Sequence, residues 1–343
     1  RLLQRGLAPA GFAGRPEIPT GNALRKDYLE PLSRLPELAG VIRERTRVTA
    51  VARSGFLKGD PAKARQGAPF RLLLDRDGEE SVAFADVVLD ATGVYGQPNP
   101  IGRDGIPAPG ETALATRIRT GLPNIAAERD TFAGTHVLVV GSGHSAATTV
   151  LALSEIPGAS VTWVTRRTGT PLAEHCGDSL PERARLNAAA NRLAAEGPSV
   201  THLGGYAVER LASRDPGFRV VLASANDRRE LDVDHIVNQT GFRPDRNLTR
   251  EVQVHECYET EGPIKLAAAL SGVDGGDCMT QVGFGPDSLK NPEPDLFILG
   301  HKSYGRNTDY LMRIGREQAR DIFRLLTGNP ALDPDRLETL HAR

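Results

Sequence analysis

The sequence predicts an α/β chain of about two domains, and three observations predict it. Strand-like apolar runs alternate with helix-like stretches, which favours a parallel sheet built from strand–helix–strand units. One strand, at 136–140, runs through a glycine turn straight into a helix. A strand that closes on Thr-Gly occurs on either side of that turn, at 86–93 and again at 234–241. A length of 343 residues suits two domains of roughly 100–200 residues each.

Taken in order, the chain starts helix-like, turns at Pro19-Thr20-Gly21-Asn22, and continues as a helical stretch over 23–38 bent at Pro31 and Pro36. Residues 47–51 alternate as a strand. Strands at 70–75 and 81–84 flank Arg76-Asp77-Gly78-Glu79, a hairpin pattern. DVVLD at 86–90 reads as a buried strand running into Ala91-Thr92-Gly93. A Pro/Gly-rich connection over 95–123 leads to a domain junction at Phe132-Ala133-Gly134. After the glycine turn come a helix at 145–153, a strand at 161–165, a helix at 181–196, a strand at 200–203 and a hairpin of 206–213 with 219–223. Residues 234–238 form a strand entering Gln239-Thr240-Gly241. The chain ends in a strand at 296–299, Gly300, and a helix over 308–326.

Apolar residues make up 39% and charged residues 25%, enough for a packed core, and the net charge is −1. So neutral a chain gives no electrostatic case for nucleic acid or an anionic membrane as partner, which leaves a small-molecule substrate. Cys176, Cys257 and Cys278 are odd in number, form no CxxC and have no His at zinc spacing. A disulfide framework, a redox dithiol and a metal site are therefore not expected. No apolar run is long enough to span a bilayer and no signal peptide opens the sequence, so the cytoplasm is the expected compartment. The oligomeric state is left open.

The glycine turn reads G-x-G-x-x-A. Gly141 allows the tight turn, Gly143 lets backbone approach a pyrophosphate, and Ala146 lets the helix pack close to the strand. Ser142 and His144 fill the turn, and Ser145 is placed to hydrogen-bond a phosphate. The helix start directs free N–H groups and the positive end of its dipole at an anion. This is a Rossmann-type dinucleotide pattern in its proper strand–turn–helix setting. The next strand ends in Thr165-Arg166-Arg167, where an NAD site carries an acidic residue for the ribose 2′-hydroxyl. A guanidinium grips a 2′-phosphate that a carboxylate would repel, so Arg166 and Arg167 favour NADPH.

With Thr-Gly stretches on both sides of this turn, DVVLDATGVYGQPNPIG and DHIVNQTGFRPD, the sequence resembles the two-dinucleotide-binding flavoproteins, especially the flavin-containing monooxygenase-like group. The resemblance implies a Rossmann-type NAD(P)-binding domain at 134–233 inserted in a discontinuous FAD-type domain at 1–133 and 234–343. It implies FAD and NADP as cofactors, with Thr92, Gly93, Thr240 and Gly241 turning beside them. The segment 292–326 resembles the family's closing strand and helix. That places Gly300 near the ribityl chain and has Asn307, Thr308 and Asp309 begin a helix aimed at the pyrimidine end of the flavin. The strand around Val48 is implied to contact the FAD adenine through its backbone.

Two departures qualify the resemblance. The family's first G-x-G-x-x-G does not occur, from which we expect an N-terminal strand–helix–strand unit to be missing and FAD binding by the chain as written to be weak or lost. The full monooxygenase fingerprint is also missing, so oxygen insertion and a plain reductase or dehydrogenase are both open. The function read from the sequence is an NADPH-dependent flavoprotein oxidoreductase passing hydride to FAD and on to oxygen or another acceptor. The alternative is a non-catalytic NADPH-binding module or redox sensor without flavin. No catalytic side chain is assigned, since the cofactor carries this chemistry. His301, Lys302, Tyr304 and Arg306 either face the substrate side of the flavin or form a polar surface loop. His175 with Cys176 carries little weight as a thiol site.

Overall fold

The structure is a computed structural model that describes residues 20–173, 180–272 and 283–332. In chain order the strands are β1 (Thr46–Arg53), β2 (Phe70–Arg76), β3 (Glu79–Ala85), β4 (Val88–Asp90), β5 (Arg119–Thr120), β6 (His136–Val140), β7 (Ser160–Thr165), β8 (Val200–Gly204), β9 (Ala207–Ser213), β10 (Phe218–Ala223), β11 (Arg228–Val233), β12 (His235–Asn238) and β13 (Leu296–Ile298). The longer uninterrupted helices are α1 (His144–Ser154), α2 (Pro181–Glu196), α3 (Ile264–Ser271) and α4 (Met312–Thr327). The chain forms two compact units, one from the residues up to Thr92 and from Arg246 onward, the other from Gly93–Asp245.

The first unit contains the antiparallel sheet β1-β2-β3 and the parallel pair β4-β13. Asp77 and Gly78 join β2 to β3 with φ of 58° and 88°. Two positive φ values in a two-residue loop match the right-handed twist of the flanking strands, and Asp-Gly tolerates them. Val51, Phe70, Val252 and Leu296 pack as one apolar cluster, and Leu266, Phe297, Tyr304, Ile314 and Ile322 belong to a second. A buried ion triad joins distant segments: Arg53 Nε donates to Glu293 Oε1 at 2.9 Å and Arg65 Nη2 to Glu293 Oε2 at 2.6 Å.

The second unit is built on a five-stranded parallel sheet in the order β5-β12-β6-β7-β8, with the antiparallel sheet β11-β10-β9 beside it. A parallel sheet covered on both faces needs near-continuous apolar strands, and β6 (HVLVV) supplies one. Successive side chains go to opposite faces. Val137 and Val139 share a core with Val150 and Leu153 of α1 and Ala190 of α2, while Leu138 and Val140 share one with Val208, Val220 and Leu222 of β9 and β10.

The compact units divide after Thr92 and after Asp245, whereas the domain divisions read from the sequence lie at 133/134 and 233/234. The connection after Gly93 belongs to the second unit, because Ile101, Ala108, Ile118, Ile125 and Phe132 are buried in its cores. Glu111 ties that connection down, its carboxylate accepting from the amides of Ile101 at 2.8 Å, Gly102 at 3.2 Å and Ala108 at 2.8 Å. β12 also lies in this unit, paired with β6 on one side and β5 on the other. β11 was not expected: it is an edge strand of mostly exposed charged residues, with Val233 alone fully buried. The last helix starts at Met312, not at Asn307–Asp309. Asn307 Oδ1 takes the Asp309 amide at 2.8 Å, and Leu311 is extended at φ −119° and ψ 146°. His175, Cys176 and Cys278 lie outside the described residues.

Candidate coenzyme site

The site begins where β6 ends. Gly141 has φ of +139°, and a Cβ there would lie 2.1 Å from the Gln239 carbonyl oxygen. The turn is therefore closed against the end of β12 and admits no side chain. Its amide donates to Val164 O at 3.0 Å, and its carbonyl accepts from Trp163 Nε1 at 2.7 Å, so backbone and indole of β7 fix the turn. Gly143 differs: a Cβ there would meet nothing within 4 Å. It is the extended N-cap of α1 and supplies no side-chain cap. The first-turn amides of a helix have no intrahelical acceptor, and among the described residues no side chain caps them. Ser142, His144 and Ser145 are exposed over this opening, and Ala146 is fully buried, letting α1 lie close to the sheet.

β7 runs parallel to β6 with Val164 opposite Val140, so the segment after Thr165 leaves the same sheet edge as the glycine turn. The structure thereby brings Arg166 and Arg167 to the edge where open α/β sheets bind ligands. Both are exposed, and neither guanidinium enters an ion pair or hydrogen bond among the described residues. The end of β12 follows the same edge. Gln239 donates its amide to Val140 O at 2.8 Å and its side chain to Thr149 Oγ1 at 3.3 Å. Thr240 and Gly241 stand beyond it, held by Asn99, which takes Thr240 Oγ1 on its carbonyl at 2.8 Å and donates its amide to Gly241 O at 2.9 Å.

The residues present fit a nicotinamide dinucleotide phosphate. An uncapped helix start and an open glycine face suit a pyrophosphate, and two uncommitted guanidiniums one strand away suit a 2′-phosphate. Sequence reasoning missed Trp163, Gln239 and Asn99. Of these only Trp163 carried a signal, as the chain's single tryptophan inside a strand pattern.

In the first unit, β4 and β13 run parallel with Asp90 opposite Ile298, which brings Thr92 and Gly300 to one edge. Lys302 Nζ donates to Asp90 Oδ2 at 2.6 Å, with side chains 3% and 1% exposed. Lys302 and Tyr304 are thus interior groups rather than a polar surface loop, and burial pushes the Tyr304 phenol up to about 12. His301 stacks on Tyr310 at 5.5 Å, and burial pulls its pKa down. Gly300 donates its amide to Gln318 Oε1 of α4 at 2.8 Å. Val48 lies on the separate β1-β2-β3 sheet, and Asn307, Thr308 and Asp309 lie in the non-helical stretch ahead of α4. The described residues of this unit thus bring Thr92 and Gly300 to one sheet edge, and among them no second strand–glycine turn–helix occurs. Among the described residues no cluster of His, Cys, Asp or Glu could hold a metal ion, and no helix is long and apolar enough to cross a membrane.

The architecture has solved counterparts. A bacillithiol disulfide reductase from Bacillus cereus superposes with a TM-score of 0.61 at 18% identity, over 92% of this chain and 82% of that one. An ornithine N-hydroxylase from Kutzneria sp. 744 gives 0.59 at 15% identity, over 95% and 81%. The T. acidophilum thioredoxin reductase gives 0.58 at 14% identity, over 92% and 84%. The chain has the two-dinucleotide-binding flavoprotein fold. No protein-family model matches the sequence, and no curated protein matches it.

Proposed function

We propose that this chain is an NADPH-dependent oxidoreductase of the flavoprotein type. One observation carries the reading: an open, uncapped glycine turn lies one strand from two arginines whose guanidiniums no other side chain engages among the described residues. NADPH bound there supplies a hydride, which in this fold goes to FAD and then to dioxygen or another two-electron acceptor. Gly141, Ser142, Gly143, His144, Ser145 and Ala146 hold the pyrophosphate, and Arg166 with Arg167 holds the 2′-phosphate. Thr240 and Gly241 turn the chain beside the coenzyme. Thr92, Gly93 and Gly300 edge the flavin site, with Val48, Asn307, Thr308 and Asp309 as its further contacts. The solved counterparts, a disulfide reductase, a thioredoxin reductase and an N-hydroxylase by their titles, support this class and leave the acceptor open. A second reading, an NADPH-binding module without flavin, is favoured by the single glycine turn among the described residues.

The visible spectrum of the purified protein, before and after anaerobic NADPH, separates the two. A yellow protein that bleaches is the flavoenzyme, and a colourless one that binds NADPH is the module. Gly143→Ala sharpens the assignment. Its Cβ meets no protein atom, so the fold should be unharmed while coenzyme affinity drops. If neither NADPH nor NADH binds the unsubstituted protein, both readings fall.

A further inference from the structure

Beneath the two arginines lies a chain of side-chain contacts that holding a pyrophosphate does not require. Thr165 ends β7, and His202 sits on the neighbouring β8, opposite Trp163 in the parallel register. His202 Nε2 is 2.9 Å from Thr165 Oγ1, and Thr165 Oγ1 is 3.0 Å from the Arg167 carbonyl oxygen. The Gly205 amide donates to that same carbonyl at 3.1 Å and to Thr165 O at 2.9 Å. On its other side the His202 ring meets Trp163 edge to face, with centroids 5.6 Å apart. Trp163 Nε1 in turn donates to the Gly141 carbonyl.

The directions of these bonds follow from what each group can do. A carbonyl only accepts, so the one Thr165 hydroxyl proton goes to Arg167. The hydroxyl must then accept from the imidazole, and Nε2 must carry the hydrogen. Burial lowers the pKa of His202, which favours the neutral ring. The loop holding the phosphate-binding arginines is thus pinned by a donor two strands away from the glycine turn, and that donor is braced against the indole that grips the turn.

We propose that His202 is a positioning residue for coenzyme choice: through Thr165 it fixes the Arg167 backbone, and with it the aim of both guanidiniums at a 2′-phosphate. This rests on the NADPH reading above and deepens it. His202 touches no coenzyme atom in this scheme. Discrimination is a difference between two affinities, and only NADPH uses the arginine loop. Loss of the pin therefore weakens NADP⁺ and spares NAD⁺, which needs only the glycine turn.

Trp163 is the sole tryptophan, so its emission reports on the turn directly. The full chain is titrated with NADP⁺ and with NAD⁺ for the unsubstituted protein, His202→Leu and His202→Gln. His202→Leu removes the donor, and NADP⁺ affinity should fall about fivefold to tenfold while NAD⁺ affinity holds. His202→Gln keeps an N–H at similar reach and should restore most of the preference. Thr165→Val, which removes the hydroxyl at nearly constant volume, should give the same selective loss should His202→Leu fold poorly. An unchanged NADP⁺ to NAD⁺ ratio in His202→Leu and Thr165→Val, or an equal loss of both coenzymes, overturns the proposal. Should the unsubstituted protein respond to neither coenzyme, the reading it rests on falls with it.

Discussion

At 90–93 and at 238–241 the chain makes the same turn twice. In each, the side chain at the strand end accepts from the amide and the hydroxyl of the threonine two residues on: Asp90 from Thr92 at 3.2 Å and 2.7 Å, Asn238 from Thr240 at 2.9 Å and 2.7 Å. Each then turns at a glycine with positive φ, 69° at Gly93 and 88° at Gly241. What closes the turns differs. Asp90 is met by the buried ammonium of Lys302, which also donates to Thr92 Oγ1 at 3.3 Å. Asn238 is met by a neutral partner, donating its side-chain amide to Asn99 O at 2.7 Å. The neutral turn is also short of a proton, because Thr240 Oγ1 faces both Asn238 Oδ1 and Asn99 O with one hydrogen to give. Asn99 Oδ1 itself is buried without a partner among the described residues. One local design thus gives a strong, brittle closure where it is ionic and a weaker, tolerant one where it is not.

The largest test of that contrast is Lys302→Met. It strands a buried carboxylate and should cost about 3–5 kcal/mol in urea unfolding. Adding Asp90→Asn converts the first turn to the chemistry of the second, and most of the loss should return. A double variant no more stable than Lys302→Met alone would show that the ammonium does more than neutralise Asp90.

Acid should separate the two regions next. Burial raises the pKa of Glu293, but hydrogen bonds from Arg65, the Gln253 amide and Arg53 outweigh it and leave the carboxyl below its ordinary value. A depressed folded pKa means stability that is present above the unfolded value, near 4.5, and lost as pH falls through the folded one. The first unit, which holds this triad, should lose thermal stability as the pH falls through that acid range. Glu293→Gln should lower its stability at neutral pH and flatten the acid loss, as read by melting temperature against pH.

These contrasts show where the sequence is legible. The β6–glycine–α1 turn, helix 181–196 and the Asp77-Gly78 hairpin follow from local chemistry, since period and turn residue lie within a few positions of each other. The two Thr-Gly strands could also be read. Their closing partners could not, because Lys302 reaches Asp90 across 212 positions and Asn99 reaches Asn238 across 139. The same holds for the unit boundaries. Burial of Ile118 and Phe132, and the pairing of β12 between β5 and β6, are tertiary facts with no local signature. His202 behind Arg167 belongs here too, being joined only when β7 and β8 pair.

A smaller effect is expected at the neutral turn. Asn238→Ala leaves the Thr240 amide and the Asn99 carbonyl each one bond short. The cost should be about 1–3 kcal/mol, below that of Lys302→Met, because no charge is stranded. Equal costs at the two sites in denaturant unfolding would remove the distinction between ionic and neutral closure.

The finest comparison exchanges only the two threonines. Thr92→Val removes a hydroxyl that donates to a carboxylate and accepts from an ammonium, and bonds to charged groups carry about 1.5–3 kcal/mol. Thr240→Val removes one proton shared between two neutral acceptors, which is worth about 0.5–1.5 kcal/mol. Valine nearly matches threonine in volume, so packing changes little and the difference isolates the electrostatic part. Thr92→Val should therefore be the more damaging by about 1 kcal/mol in paired unfolding curves. A reversed order would mean that Thr240 supports its turn through contacts other than these two bonds, and that the turns are alike in outline only.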